Sequence, residues 1–126
     1  MNLLDLFKDW DDVIQFKANR EIFAEGAPAD AMYIILKGEV ELTLHDEPLG
    51  AEGPGGIFGE MALINAATRS ATATSLTKVT AVRLDRDEFR DQISENPDFA
   101  LHVMAVLANR LRAINEYMTR QAQAFR

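Results

Sequence analysis

Apolar and polar residues alternate along Val40-Glu41-Leu42-Thr43-Leu44, the period-two spacing of a half-buried strand. Just upstream, Met32-Tyr33-Ile34-Ile35-Leu36 is a short apolar run, and Lys37-Gly38-Glu39 between the two segments predicts a turn. A second turn is predicted at His45-Asp46-Glu47-Pro48, a polar cluster. The stretch from Leu49 to Gly56 is punctuated by Gly and Pro too densely for regular structure. Two further strands are predicted over Ser70–Leu76 and Val79–Leu84, both rich in Thr, Val and Ala. Residues 3–9 predict a short helix with Leu3, Leu4, Leu6 and Phe7 on its apolar side. Several short strands joined by tight turns predict an antiparallel roll or jelly-roll barrel over about residues 11–84.

The register changes at Asp85. Asp85 stands as an N-cap with Glu88 three residues on, a capping box that opens a helix. Asn96 can cap the next helix, with Pro97 at its first position, where a missing N–H costs nothing. From Pro97 to Ala124 nothing breaks the helix. Met104, Leu107, Leu111, Ile114 and Met118 step by three and four, an a/d seam that Val103 and Val106 widen at one end. The seam predicts a parallel homodimer through residues 104–118. The fold class is therefore α+β: one domain over 1–126, a β-roll followed by a helical region over about 85–126.

Composition narrows the chemistry. The 126 residues are 48% hydrophobic and 26% charged, an ordinary globular balance for one core. No cysteine is present, which excludes disulfides, thiolate catalysis, Cys-ligated zinc and iron–sulfur clusters. A net charge of −7 argues against nucleic acid as a partner. No apolar run is long enough to span a membrane, and the acid-containing N-terminus is unlike a secretory signal, so the cytoplasm is the default address. His45 and His102 lie too far apart in sequence, without a carboxylate pattern, to predict a metal site. The same scatter argues against a metal-dependent barrel enzyme, and no Ser-His-Asp set appears.

The chemistry concentrates in Phe58-Gly59-Glu60-Met61-Ala62-Leu63-Ile64-Asn65-Ala66-Ala67-Thr68-Arg69-Ser70-Ala71. Glu60-Met61-Ala62-Leu63 predicts one short helix led by an acid. Free backbone N–H groups at a helix start, with an Arg nine residues on, form a phosphate trap. A carboxylate beside it can accept from a sugar hydroxyl, which together points to a phosphorylated ribose.

This run resembles the phosphate-binding cassette of the cyclic nucleotide-binding domain family, F-G-E-x-A-L followed by R-[STA]-A, at Phe58, Gly59, Glu60, Ala62, Leu63, Arg69, Ser70 and Ala71. The stretch from Glu21 to Val40 resembles the family's early strands, and Asn96-Pro97 with its long helix resembles the C-terminal helical portion. The resemblance implies that Arg69 forks onto the cyclic phosphate and that Glu60 accepts from the ribose 2′-OH. Gly59 is expected to let the backbone approach the ligand, and the backbone N–H groups of Met61, Ala62 and Ala71 to face phosphate. Ser70 can donate to phosphate or to the 2-amino group of a guanine. Phe58 belongs to the motif, although as a residue it reads, like Trp10 and Tyr33, as a core aromatic.

For the base, Asn115 and Ile114 on the long helix are the candidates, with Arg112 and Tyr117 as alternatives; Ile114 serves equally as a heptad residue. The expected ligand is cyclic AMP, with cyclic GMP as the alternative, and no metal. The expected function is a non-enzymatic receptor that repositions its C-terminal helix toward a downstream protein partner not named by the sequence. The chain ends where transcription-factor relatives place a helix-turn-helix, so direct DNA binding is not expected; it either stands alone, with the native-looking Met1 favouring an intact N-terminus, or belongs to a longer protein. The competing reading is a dimerisation or interaction module with a relic pocket.

Overall fold

In a computed structural model of the chain, residues 2–60 and 68–124 are described. A short helix, α1 (Leu3–Phe7), precedes eight strands among the described residues: β1 (Val13–Phe16), β2 (Glu21–Phe23), β3 (Ala31–Lys37), β4 (Val40–Leu44), β5 (Glu47–Glu52), β6 (Ile57–Phe58), β7 (Thr72–Ser75) and β8 (Val79–Asp85). Two helices follow, α2 (Arg86–Glu95) and α3 (Pro97–Ala124). The strands pair antiparallel into two four-stranded sheets, ordered β1-β8-β3-β6 and β2-β7-β4-β5. This is the β-roll of an α+β fold, as the strand pattern predicts. The short helix expected at Glu60–Leu63 falls, apart from Glu60, outside the described residues, and so do Met61 and Ala62.

The unalternating run in β3 serves two cores. Tyr33 and Ile35 point between the sheets, where they meet Val40, Leu42, Phe58, Ala73, Val79 and Ala81. Met32 and Ile34 point the other way, onto Leu3 and Phe7 of α1, Phe89 of α2, and Phe99 and Val103 of α3. Both faces of the strand are covered, so apolar residues occupy every position from Ala31 to Ile35. The outer core fixes the root of α3: Phe7 packs edge-on against Phe99 with ring centroids 5.6 Å apart, and Trp10 packs on Phe7 at 5.1 Å.

The local signals that start the helices are visible. Asn2 accepts at its side chain from the amides of Leu4 and Asp5, and Asp85 and Glu88 form the reciprocal capping box. Asn96 departs from its expected part. Its side-chain amide donates back to Gln92, and its carbonyl rather than its side chain receives the Phe99 amide.

Two other expectations are corrected. Leu49 to Glu52 is strand, although Gly and Pro crowd the segment, because β5 is the outer strand of its sheet. Pro48 needs no ladder partner there, and the register slips between Leu42↔Gly50 and Thr43↔Pro48, bulging the strand at Leu49. The turn before it is correspondingly shorter, at His45 and Asp46, both with positive φ. The heptad seam also divides. Leu107 packs on the outer core and Ile114 faces a pocket, whereas Leu101, Met104, Leu111 and Met118 stand 58–63% exposed.

Candidate functional site

The pocket lies between the sheet containing β2, β4, β5 and β7 and the middle of α3. Phe23, Leu42, Leu49, Gly59, Glu60, Arg69, Ser70, Ala71, Arg110 and Ile114 line it. Six of the residues singled out from the sequence (Gly59, Glu60, Arg69, Ser70, Ala71 and Ile114) therefore meet in one place. Two others do not. Phe58 is fully buried between the sheets, stacked on Tyr33 at 5.0 Å, and gives the pocket no surface. Asn115 is exposed and turned away, because one residue rotates a helix by about 100° and Ile114 takes the inward position.

Arg69 is held from several sides. Its backbone is pinned to the loop after β2, with its N–H donating to Ala27 and its carbonyl accepting from Gly26. Only 5% of the residue is exposed. Nη1 donates to the Gly59 carbonyl at 3.2 Å, and the guanidinium carbon lies 4.1 Å from the centroid of the Phe23 ring. Asp30 is 3.9 Å from Nη2, but its side chain is 75% exposed and is bound more closely by Arg83, at 3.1 Å. Burial pulls the Arg69 pKa below the ordinary guanidinium value, with Tyr33 and Asp30 opposing.

Glu60 is 1% exposed. Burial pushes its carboxyl above the usual range, and Arg110 pulls it part of the way back. Arg110 reaches in from α3: Nε lies 3.3 Å from Glu60 Oε1, Nη1 donates to Glu52 at 2.9 Å, and Nη2 donates to the Ile57 carbonyl at 2.7 Å. The Nε contact with Glu60 is an ion pair, and among the described residues neither Glu60 Oε1 nor Arg69 Nε has a well-formed hydrogen bond. The pocket thus contains a buried acceptor and a buried cationic donor with unused capacity, beside the apolar side chains of Phe23, Leu42, Leu49 and Ile114. Such orphans are rare in folded proteins. Among the described residues no group of three or more His, Asp or Glu gathers to hold a metal.

Gly59 has a part the sequence did not show. Its φ is +79°, and a Cβ there would stand 2.7 Å from Arg69 Nη1. The glycine makes room for the arginine's own guanidinium, where the expectation was room for a ligand.

A family model described as the cyclic nucleotide-binding domain matches residues 13–96. The chain belongs to that family. This domain is 37% identical over 108 residues to the CRP-like cAMP-activated global transcriptional regulator of Mycobacterium tuberculosis, an alignment covering 81% of the chain and 48% of the regulator. The chain spans about half the length of that curated relative. Among solved structures, the Thermus thermophilus catabolite activator protein superposes with a TM-score of 0.76 at 28% identity, over 94% of the chain and 58% of the activator. The EAL enzyme Bd1971 superposes in its cAMP-bound form with a TM-score of 0.62 at 33% identity, over 90% of the chain and 32% of the enzyme. Its cGMP-bound form superposes equally well, at 0.63 and 33% over 89% of the chain and 31% of the enzyme.

Sequence reasoning passed over Phe23, Leu42, Leu49 and Arg110. Arg110 carried a signal, lying four residues before Ile114 and hence on the same helix face. Phe23 carried none, because its place beside Arg69 follows from the pairing of β2 with β7.

Farther along α3, Tyr117 shares a hydrogen bond of 2.9 Å with His45 Nδ1, and Gln121 donates to Glu47 at 3.1 Å. No helix among the described residues is long and apolar enough to cross a membrane.

Proposed function

We propose that the chain is a cyclic nucleotide receptor that binds its ligand without chemical change. The observation that carries this is the pair of unsatisfied buried groups, Glu60 Oε1 and Arg69 Nε, on residues that line one pocket with apolar walls. A hydroxyl can donate to the first and an anionic oxygen can accept from the second, and a cyclic nucleotide presents both on one ribose. Arg69 takes the cyclic phosphate, with Ser70 and Ala71 beside it, and Glu60 accepts from the ribose 2′-OH. Leu42, Leu49 and Ile114 cover the base.

Cyclic AMP is the expected ligand, supported by its name in the Mycobacterium relative and in a solved neighbour; cyclic GMP is the alternative, supported by the second bound form of that neighbour. Arg110 ties α3 to Glu60, so a ligand that engages Glu60 changes the seating of α3 and passes the signal to a partner. The exposed row Leu101, Met104, Leu111 and Met118 supports a homodimer through α3, and it also supports the second reading, an interaction module without a ligand.

The test is calorimetric titration of cyclic AMP and cyclic GMP into protein stripped by unfolding and refolding, against Arg69→Ala. Each charge-assisted bond is worth about 1.5–3 kcal/mol, so the variant loses roughly tenfold to several-hundredfold in affinity. No heat with either nucleotide in the wild type refutes the receptor and leaves the interaction module.

A further inference from the structure

We propose that Phe23 is a positioning residue for the bound anion, forming with Gly59 a slot that holds the Arg69 guanidinium flat and leaves its charge uncancelled. The inference rests on the receptor reading and deepens it by naming what keeps the phosphate-binding arginine ready.

A buried arginine is ordinarily fixed by a carboxylate. Arg69 is not. Its nearest acid among the described residues, Asp30, is 3.9 Å away, exposed and shared with Arg83. Among the described residues its guanidinium donates to a neutral carbonyl, that of Gly59. The guanidinium instead lies over the Phe23 ring, whose centroid is 4.1 Å from its carbon. Gly59 borders the slot at the edge of the guanidinium: its carbonyl accepts from Nη1, and its absent Cβ would lie 2.7 Å from Nη1 and 3.4 Å from Phe23 Cε2. The guanidinium therefore reaches over the ring only because the residue beside its Nη1 edge is a glycine.

The ring is itself held. Phe23 sits 5.9 Å from Phe58 and 6.3 Å from Tyr33, and those two rings stack at 5.0 Å with 15° between their planes. Three rings from β2, β3 and β6 thus form one rigid support running from the core to the pocket wall. This gives Phe58 its purpose in the site: it touches no ligand surface but backs the residue that positions Arg69.

The choice of a ring over a carboxylate has a chemical consequence. A carboxylate would have to be displaced before an anion could use the guanidinium, so part of the binding energy would be spent on that exchange. A ring face attracts the cation with no hydrogen-bond acceptor and blocks none of its N–H groups, and Arg69 Nε has no hydrogen-bond partner among the described residues. Preorganising a donor in this way improves affinity by removing reorganisation that binding would otherwise require.

The experiment uses the whole chain and two readouts. In ligand-free protein, the side-chain Nε–H resonance of Arg69, identified by its loss in Arg69→Lys, is shifted upfield by the ring; the shift collapses in Phe23→Leu and persists in Phe23→Tyr. By calorimetry, Phe23→Leu weakens cyclic AMP binding about 5- to 30-fold, and Phe23→Tyr stays within about threefold of wild type. Phe23→Met is the second non-aromatic variant if Phe23→Leu does not fold. A Phe23→Leu affinity within twofold of wild type, or an Arg69 resonance unmoved by losing the ring, overturns the slot. A wild type that binds no nucleotide refutes the receptor reading, while the resonance of the ligand-free protein still decides whether the slot exists.

Discussion

Replacing Arg110 with Ala should destabilise the protein in a way that depends on pH, and the size of the effect can be worked from three contacts. Arg110 supplies the Glu60 carboxylate with its ion-pair partner at 3.3 Å and also binds Glu52 and the Ile57 carbonyl. Truncation leaves Glu60 charged in a site where burial already raises its pKa. Losing one partner of a buried pair costs about 3–5 kcal/mol. Glu60 has an escape, because it can take up a proton. Protonating a carboxylate of ordinary pKa costs about 1.36 kcal/mol per pH unit above about 4.3, which caps this part at about 3.7 kcal/mol at pH 7 and about 1 kcal/mol at pH 5. The bonds to Ile57 and to partly exposed Glu52 add about 1–2 kcal/mol at both pH values. The sign follows from linkage. A carboxyl whose folded pKa exceeds its unfolded value takes a proton first in the folded state, so stability falls as pH rises through that window. The variant widens the window, and its deficit grows with pH. Urea unfolding of wild type and Arg110→Ala should show a deficit of up to about 5–6 kcal/mol at pH 7, with up to about 2.7 kcal/mol of it recovered at pH 5. Adding Glu60→Gln should abolish the pH dependence. An equal deficit at both pH values would refute the assignment of Glu60 as the stranded charge.

Gly59→Ala places a side chain at φ +79° against Arg69, so it should lose about 1–2 kcal/mol in thermal melts and weaken cyclic AMP more than tenfold by calorimetry; unchanged binding would mean the guanidinium is elsewhere. Leu111→Glu on the exposed face of α3 should convert a dimer to a monomer in light scattering, and a wild-type monomer or a dimeric variant would count against the seam. Tyr117→Phe removes the hydrogen bond shared with His45 and should cost about 1 kcal/mol in stability, with no change in melting as the contrary result.

Strand β4 could be read residue by residue because one of its faces is buried and the other is not, and alternation reports that difference directly. The capping box at Asp85 and Glu88 was equally legible, since both halves of the interaction lie within four residues. Strand β5 was not. Its Gly and Pro signal a break in an inner strand, and only the sheet order shows that this one lies at the edge. The same limit governs the site. Glu60 and Arg69 stand in one local motif and could be found by spacing. Phe23 reaches Arg69 only through the β2–β7 pairing, and Arg110 reaches Glu60 only because α3 folds back over the roll. The seam on α3 was legible as apolar positions but not as faces: the helix divides its apolar residues between the pocket, the core and solvent, and a three-four spacing fits more than one of these.

The chain has a single tryptophan, and it is placed where a spectroscopist would have chosen to put one. Trp10 leans on Phe7, and Phe7 leans on Phe99 at the base of α3. A tilt of the helix at its root alters the surroundings of the indole, so the emission of the unlabelled protein follows α3 directly. With no cysteine in the sequence, a thiol introduced at Met118 would carry one dye and no other. The indole and that dye would then measure the swing of the helix from both ends.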